Sequence, residues 1–194
     1  MLHIKQILIC FLFGCVTFIF QAQERPPINI FLPEHYGGDS QNWSVSQSSD
    51  KYIYVANNKG LLEFNGSAWN LYKSPNETIV RAVSALDSIV YTGSYREFGY
   101  WLRNKVGFLE YTSLSDQLNV SFFEDEEFWN IKPYDNWVLF QSLNRIHIYN
   151  KSTNSYNTIT SKTNISRIFE VDNLFYYQDI EDGLYKIERG NGIL

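Results

Sequence analysis

Cysteine is nearly absent from this 194-residue chain: there are two, Cys10 and Cys15, both close to the N-terminus. If that stretch is removed on export, no thiol remains. Disulfides, thiolate nucleophiles and cysteine metal sites are then excluded together. Histidine is scarce too, at three residues, His3, His35 and His147. No His-x-His or HExxH spacing occurs, so a zinc-type centre lacks a ligand set. Nucleophilic catalysis needs a nucleophile, a base and an orienting group. His35 sits in a proline-rich lead-in, and His147 alternates with Ile146 and Ile148, which places it toward solvent or a groove. Neither supplies a base. GxGxxG and Walker loops are missing, as is the aspartate-box repeat of sialidase-type propellers. No long stretch has a helical period.

A basic stripe is also lacking. Net charge is −5, and about −6 once Lys5 is removed with the N-terminal stretch. A mildly acidic chain of this kind is not expected to grip nucleic acid. The one block of like charge is Glu124-Asp125-Glu126-Glu127. Paired carboxylates there are compatible with glycoside hydrolysis, but four consecutive acids in a loop read more simply as a solvated patch. Asp179-Ile180-Glu181-Asp182-Gly183 resembles a calcium loop without its twelve-residue frame, and reads as a hairpin turn. The sequence therefore assigns no catalytic residue, no metal and no cofactor.

No apolar run reaches the roughly 20 residues of a spanning helix. Lys5 followed by Ile7 to Phe20 and Gln21-Ala22-Gln23 instead describes a secretory signal, residues 1–22, cut after Ala22. Two alternatives stay open. Leu12-Phe13-Gly14-Cys15 loosely resembles a lipoprotein box, although Phe13 is bulky and the apolar run continues beyond Cys15. The segment also has the makings of an uncleaved anchor.

What the chain has in quantity is strand-forming residues. Aromatics make up 17% and hydrophobic residues 44%, enough for a packed core and biased to β-structure. Residues 23–40 form an extended lead-in with Pro26, Pro27, Pro33 and Gly37-Gly38, and one possible edge strand, Ile28 to Leu32. A repeat follows. Turn aspartates recur at Asp50, Asp87, Asp135 and Asp172, each succeeded by an apolar strand and, about 13 residues on, by another. Periods near 40 residues fit propeller blades. The expected fold is all-β: a β-propeller of about four blades in an incomplete ring, at approximately 41–78, 79–118, 119–162 and 163–194. A fourth strand is legible in two blades, at Trp69 to Tyr72 and Ser155 to Ile159. In the long second unit, Asp116 to Asn119 is placed to close a turn of helix. Asn65-Gly66 has the composition of a type I′ hairpin, and Leu62 and Phe64 are expected to pack between blades. The chain stops at Leu194 without a capping strand, which implies the front piece of a longer protein.

Ahead of each aspartate stands a large side chain, with an apolar residue two positions later: Trp43/Val45, Arg81/Val83, Trp129/Ile131 and Arg167/Phe169. The first strand of a propeller blade lines the central tunnel, so Trp, Arg, Trp and Arg alternate around it. Aromatic faces stack on sugar rings, and arginine forks bind carboxylate or sulfate. These four are candidate ligand-binding residues, as are Tyr95, Arg96 and Glu97 in a loop before a strand. The bland reading is blade packing by the tryptophans and carbonyl pairing by the arginines.

Asn42-Trp43-Ser44-Val45-Ser46-Gln47, the run Asn57-Asn58-Lys59-Gly60-Leu61-Leu62-Glu63-Phe64-Asn65-Gly66, and Gly93-Ser94-Tyr95-Arg96-Glu97-Phe98-Gly99-Tyr100-Trp101 together resemble the opening of bacterial regulator-propeller sensors. The resemblance spans roughly Pro26 to Leu194. It implies the exported propeller of a membrane-anchored signalling protein. Such a protein would continue into a triple-tyrosine β-sandwich, a membrane helix, and a LuxR-like helix-turn-helix or a hybrid histidine kinase. The implied role is sensing of a small extracytoplasmic ligand, an oligosaccharide among the candidates, by a protein that forms a homodimer at full length. A propeller scaffold for protein–protein contact is the alternative, and a carbohydrate-active enzyme a more distant one.

Overall fold

A computed structural model describes residues 3–4, 6, 26–188 and 191–193. The expected signal and both cysteines lie outside the described residues, apart from positions 3, 4 and 6. The chain divides into two compact units, Met1–Ile30 and Phe31–Leu194. Among the described residues, no helix is long and apolar enough to cross a membrane.

The larger unit carries four antiparallel sheets of four strands, each in chain order. Blade one is β1 (Asn42–Gln47), β2 (Ile53–Asn57), β3 (Gly60–Phe64) and β4 (Trp69–Tyr72). Blade two is β5 (Val80–Leu86), β6 (Ile89–Ser94), β7 (Glu97–Arg103) and β8 (Leu109–Ser113). Blade three is β9 (Asn130–Tyr134), β10 (Trp137–Gln141), β11 (Arg145–Asn150) and β12 (Ser155–Thr160). Blade four is β13 (Ile165–Val171), β14 (Leu174–Asp179), β15 (Gly183–Glu188) and β16 (Asn191–Ile193). The first strands pack in succession, β1 on β5, β5 on β9 and β9 on β13. The sheets thus stand in a ring with their first strands innermost, and the fold is a four-bladed β-propeller. The outer strand legible in two blades is present in all four.

The repeated aspartate has a backbone reason. Asp87, Asp135 and Asp172 have φ of 53°, 48° and 50°, a left-handed conformation that Asp and Asn tolerate better than most residues. In blade one Lys51 takes that conformation instead, with φ 72°. Asp172 and Asn173 both have positive φ and lie between the paired Val171 and Leu174, as a type I′ turn requires. The type I′ turn expected at Asn65-Gly66 is not formed. Only Gly66 of the two has positive φ. The Asn65 side chain instead accepts the N–H groups of Ser67 (2.9 Å) and Ala68 (2.7 Å), which stabilises a wider turn.

Strand alternation gives each blade two apolar faces, and the core fills the spaces between blades. Tyr54, Ala56 and Leu61 of blade one meet Val83, Val90 and Trp101 of blade two. Tyr91 and Phe98 meet Ile131, Val138 and Phe140 of blade three. Leu139, Ile146 and Ile148 meet Ile168, Phe175 and Tyr177 of blade four. Each fully buried side chain of this size contributes roughly 1.5–3 kcal/mol. Leu61, rather than Leu62 and Phe64, faces the neighbouring blade. Phe64 stacks within its own blade on Trp69, ring centroids 4.7 Å apart. Period two decides the matter: Leu62 and Phe64 share one face and Leu61 lies on the other.

The edge strand expected at Ile28 to Leu32 is absent. The lead-in forms a single helical turn, α1 (Pro33–Tyr36), with Pro33 opening it and Gly37 closing it at φ 69°. His35 Nδ1 accepts the Leu32 N–H at 3.0 Å, so this histidine closes the turn. Phe31 and Tyr36 then pack on Trp69. The Trp69 Nε1–H is buried there without a hydrogen-bond partner among the described residues, which costs stability. Trp69→Phe is therefore expected to change stability by less than about 1 kcal/mol, in either direction. A thermal melt checks this.

Candidate functional site

The ring residues owe their position to two local devices. The first is a buried polar residue seven positions after each turn aspartate: Asn57, Ser94, Ser142 and Asp179. Each ends the second strand of its blade or lies immediately beyond it. Three of them hold the segment leading into the first strand. The Asn57 amide donates to Asp39 O (2.7 Å), Gln41 O (3.0 Å) and Asn42 Oδ1 (2.8 Å), and its Oδ1 accepts the Asp39 N–H (2.9 Å). Ser142 Oγ donates to Glu126 Oε1 (2.9 Å). Asp179 accepts the Ser161 and Thr163 hydroxyls, which hold its carboxyl well below the usual carboxylate range.

The second device is a bulge. Pairing slips between Asn42 and Ser44, between Val80 and Ala82, and between Ile165 and Ile168. Trp43, Arg81 and Arg167 lie inside those slips. A bulge re-aims a side chain, so these residues leave the regular alternation. Trp129 sits immediately before β9, and its N–H donates to Gln141 O at 2.8 Å.

Three of the four ring residues meet. The Arg81 guanidinium carbon lies 4.5 Å from the ring centroid of Trp43 and 4.5 Å from that of Trp129. The two indoles are edge to face at 5.8 Å and 80°. Guanidinium over indole is a favourable cation–π arrangement. Arg81 also donates from Nη2 to Glu127 Oε1 at 3.0 Å, with Nε 2.6 Å from Oε2. Trp43 Nε1 donates to Asn58 Oδ1 at 2.8 Å. Trp43 and Trp129 remain 40% and 37% exposed, which is large for tryptophan. The result is an aromatic platform at the solvent, built from blades one, two and three. Its cation is already neutralised. Arg167 stays apart, exposed, with no ion pair or ring contact among the described residues.

Tyr95, Arg96 and Glu97 split three ways. Tyr95 Oη donates to Glu124 O at 2.7 Å. Arg96 is exposed at φ 49°, and its N–H donates to Glu126 O at 2.8 Å. Glu97 is buried and accepts the hydroxyls of Tyr111 and Ser113, both at 2.9 Å. Burial pushes its carboxyl up against those hydrogen bonds. Tyr95 and Arg96 are on the surface; Glu97 braces its own blade.

The acidic run is not a uniform solvated patch. Glu124 and Asp125 are exposed, but Glu126 is 4% exposed. Its carboxylate accepts from Arg145 Nε (3.0 Å) and Nη2, Ser142 Oγ, the Phe123 N–H (3.1 Å) and His147 Nε2 (3.2 Å). Burial opposes the charge, yet the bonds from His147, Arg145 and the Phe123 N–H hold the carboxyl down at about 2. Arg145 stacks over the Phe123 ring at 3.8 Å. His147, expected toward solvent or a groove, is not at the solvent: it is 1% exposed and is held between Glu126 and Thr158 Oγ1 (3.1 Å). Alternation with buried isoleucines pointed outward because the expected interior was apolar. This interior contains a buried carboxylate brought by the long connection between β8 and β9. That connection includes α2 (Leu114–Gln117), close to the helical turn expected at Asp116 to Asn119. The identical offset of seven from each aspartate was the available signal for the polar anchors, but nothing in the sequence paired Glu126 with Arg145.

No family model matches the chain, and no curated protein matches it. Solved structures do. Two are of the extracellular domain of BT4673 from B. thetaiotaomicron, described in one as a one-component system and in the other as a hybrid two-component system. They match at TM-scores of 0.59 and 0.62, with 19% and 20% identity, over 78% and 85% of this chain. What they share with it is the fold. This chain spans about a fifth of their length, 21% and 22%. The computationally designed Ika4 protein matches at a TM-score of 0.57 and 12% identity, over 77% of this chain and 93% of its own. A fold of this extent therefore accounts for nearly all of one designed chain.

Proposed function

We propose that this chain is the exported sensor segment of a membrane-anchored signalling protein, and that it receives an extracytoplasmic ligand on the Trp43–Arg81–Trp129 platform. The likeness to an extracellular domain of a signalling protein supports the first half. One observation carries the second: two tryptophans more than a third exposed, held at a fixed angle by a guanidinium between them. Indoles left so exposed serve recognition more readily than packing. Because Glu127 neutralises Arg81, the platform has no free cation at its centre. It favours a neutral oligosaccharide, stacked on indole, over an acidic one. Output through a helix-turn-helix or a histidine kinase, and dimerisation of the full-length protein, belong to the same reading.

Calorimetric titration of the full exported region with neutral and acidic oligosaccharides tests it. Neutral sugars are expected to bind, and Trp129→Ala to weaken them about tenfold, equivalent to ~1.4 kcal/mol. Binding of acidic sugars alone, or equal binding by the variant, would remove the platform from the proposal.

A further inference from the structure

Glu126 and Glu127 are adjacent in sequence and bond in opposite directions. Glu126 turns into blade three, to Ser142, Arg145 and His147. Glu127 reaches Arg81 of blade two. Trp129 follows two residues later. The backbone between them is tied at successive points: Arg96 N–H to Glu126 O (2.8 Å), a bridge between Tyr95 and Glu127, and Trp129 N–H to Gln141 O (2.8 Å). Phe128 is fully buried against blade two. A Cβ added at Gly93 would lie 2.5 Å from Phe128 Cβ, so this segment has no slack toward that blade.

The Glu126 cluster has the residue types of an acid–base site, but Glu126 and His147 are 4% and 1% exposed, and both carboxylate oxygens of Glu126 are taken up by Arg145, Ser142, His147 and the Phe123 N–H. Their geometry serves the neighbouring residues instead. The platform draws one residue from each of two blades and a third from the connection that Glu126 pins. Its alignment therefore depends on where that connection sits.

We infer that Glu126, gripped by Arg145, Ser142 and His147, is the positioning residue of the aromatic platform, acting through Glu127 on Arg81 and through the backbone on Trp129. A ligand stacked on the platform is thereby coupled to the packing of blade three on blade two. Such coupling is reciprocal: whatever loosens that junction weakens the ligand, and the ligand tightens the junction. This second step rests on the platform being the ligand face; the positioning role does not.

Near-UV circular dichroism of the chain reads the platform without any ligand. A cycle of the parent, Trp43→Phe, Trp129→Phe and the double variant, run in each background, isolates the signal of the Trp43–Trp129 pair as the part that the two single changes do not give additively. In Glu126→Gln that pair signal is expected to be lost while far-UV dichroism is kept. Arg145→Lys, which retains the charge but not the two-pronged grip, is expected to reduce it, and decides the matter if Glu126→Gln does not fold. Glu127→Gln, which frees Arg81 and leaves the cluster intact, is expected to lose it as well. A full pair signal in folded Glu126→Gln or in Arg145→Lys overturns the inference. Failure of every oligosaccharide to bind would count against the proposed ligand while leaving this result as it stands.

Discussion

Arg103→Ala is expected to lower stability by about 3 kcal/mol, a fall in melting temperature of roughly 10 °C for a unit of this size. Arg103 of blade two donates to Glu63 Oε2 of blade one at 2.5 Å, and stacks over Tyr52 at 4.5 Å. The Glu63 side chain is 1% exposed, whereas that of Arg103 is 29% exposed. Removing the cation leaves a carboxylate buried between blades with, among the described residues, only Asn70 and Tyr72 as donors, at 3.2 and 3.4 Å. The asymmetry is what makes the effect large. The pair itself contributes little net, because desolvation offsets most of its attraction, whereas half a pair costs several kcal/mol. A double variant, Glu63→Met with Arg103→Met, is therefore expected to recover most of the loss. Denaturant titrations of the single and double variants measure it; strict additivity would show that the two residues do not interact.

Glu126→Ala is expected to cost a similar amount, of order 3 kcal/mol, and to change how stability depends on pH. Arg145 would be left 11% exposed without its carboxylate, and His147 Nε2 without its partner. The folded carboxyl is held at about 2, below the roughly 4.3 of a free glutamate. A depressed pKa contributes stability that is fully present above the unfolded value. That stability is lost as pH falls from about 4.5 toward 2. Urea titrations at neutral pH and near pH 3 should show the wild type losing stability in that interval, with the gap to the variant narrowing. A constant gap would mean that Glu126 is not the group responsible.

The sequence carried the fold far better than the site. Blade number and strand positions follow from the aspartate spacing and period-two alternation, both local properties of the backbone. The bulges at Trp43, Arg81 and Arg167 are also local, but they leave no compositional mark, since any residue can be the extra one in a strand. The meeting of Trp43, Arg81 and Trp129 depends on how blades pack across sequence separations of 38 and 48. Arg167 has the same sequence context as Arg81 and does not join them, because no described acidic or aromatic side chain stands where Glu127 and the indoles stand for Arg81. Glu126 shows the limit most clearly. Four consecutive acids read as solvated until a folded neighbour, Arg145, gives one of them a reason to be buried.

The claim most exposed to test is that the platform receives the ligand. Tryptophan emission of the full exported region, titrated with neutral oligosaccharides, addresses it directly, since a sugar stacked on Trp43 and Trp129 must alter their surroundings. The expected result is a saturable change that disappears in the Trp43→Phe, Trp129→Phe double variant, together with the calorimetric binding. Saturable calorimetric binding that leaves the emission unchanged, and that the double variant retains, would contradict it.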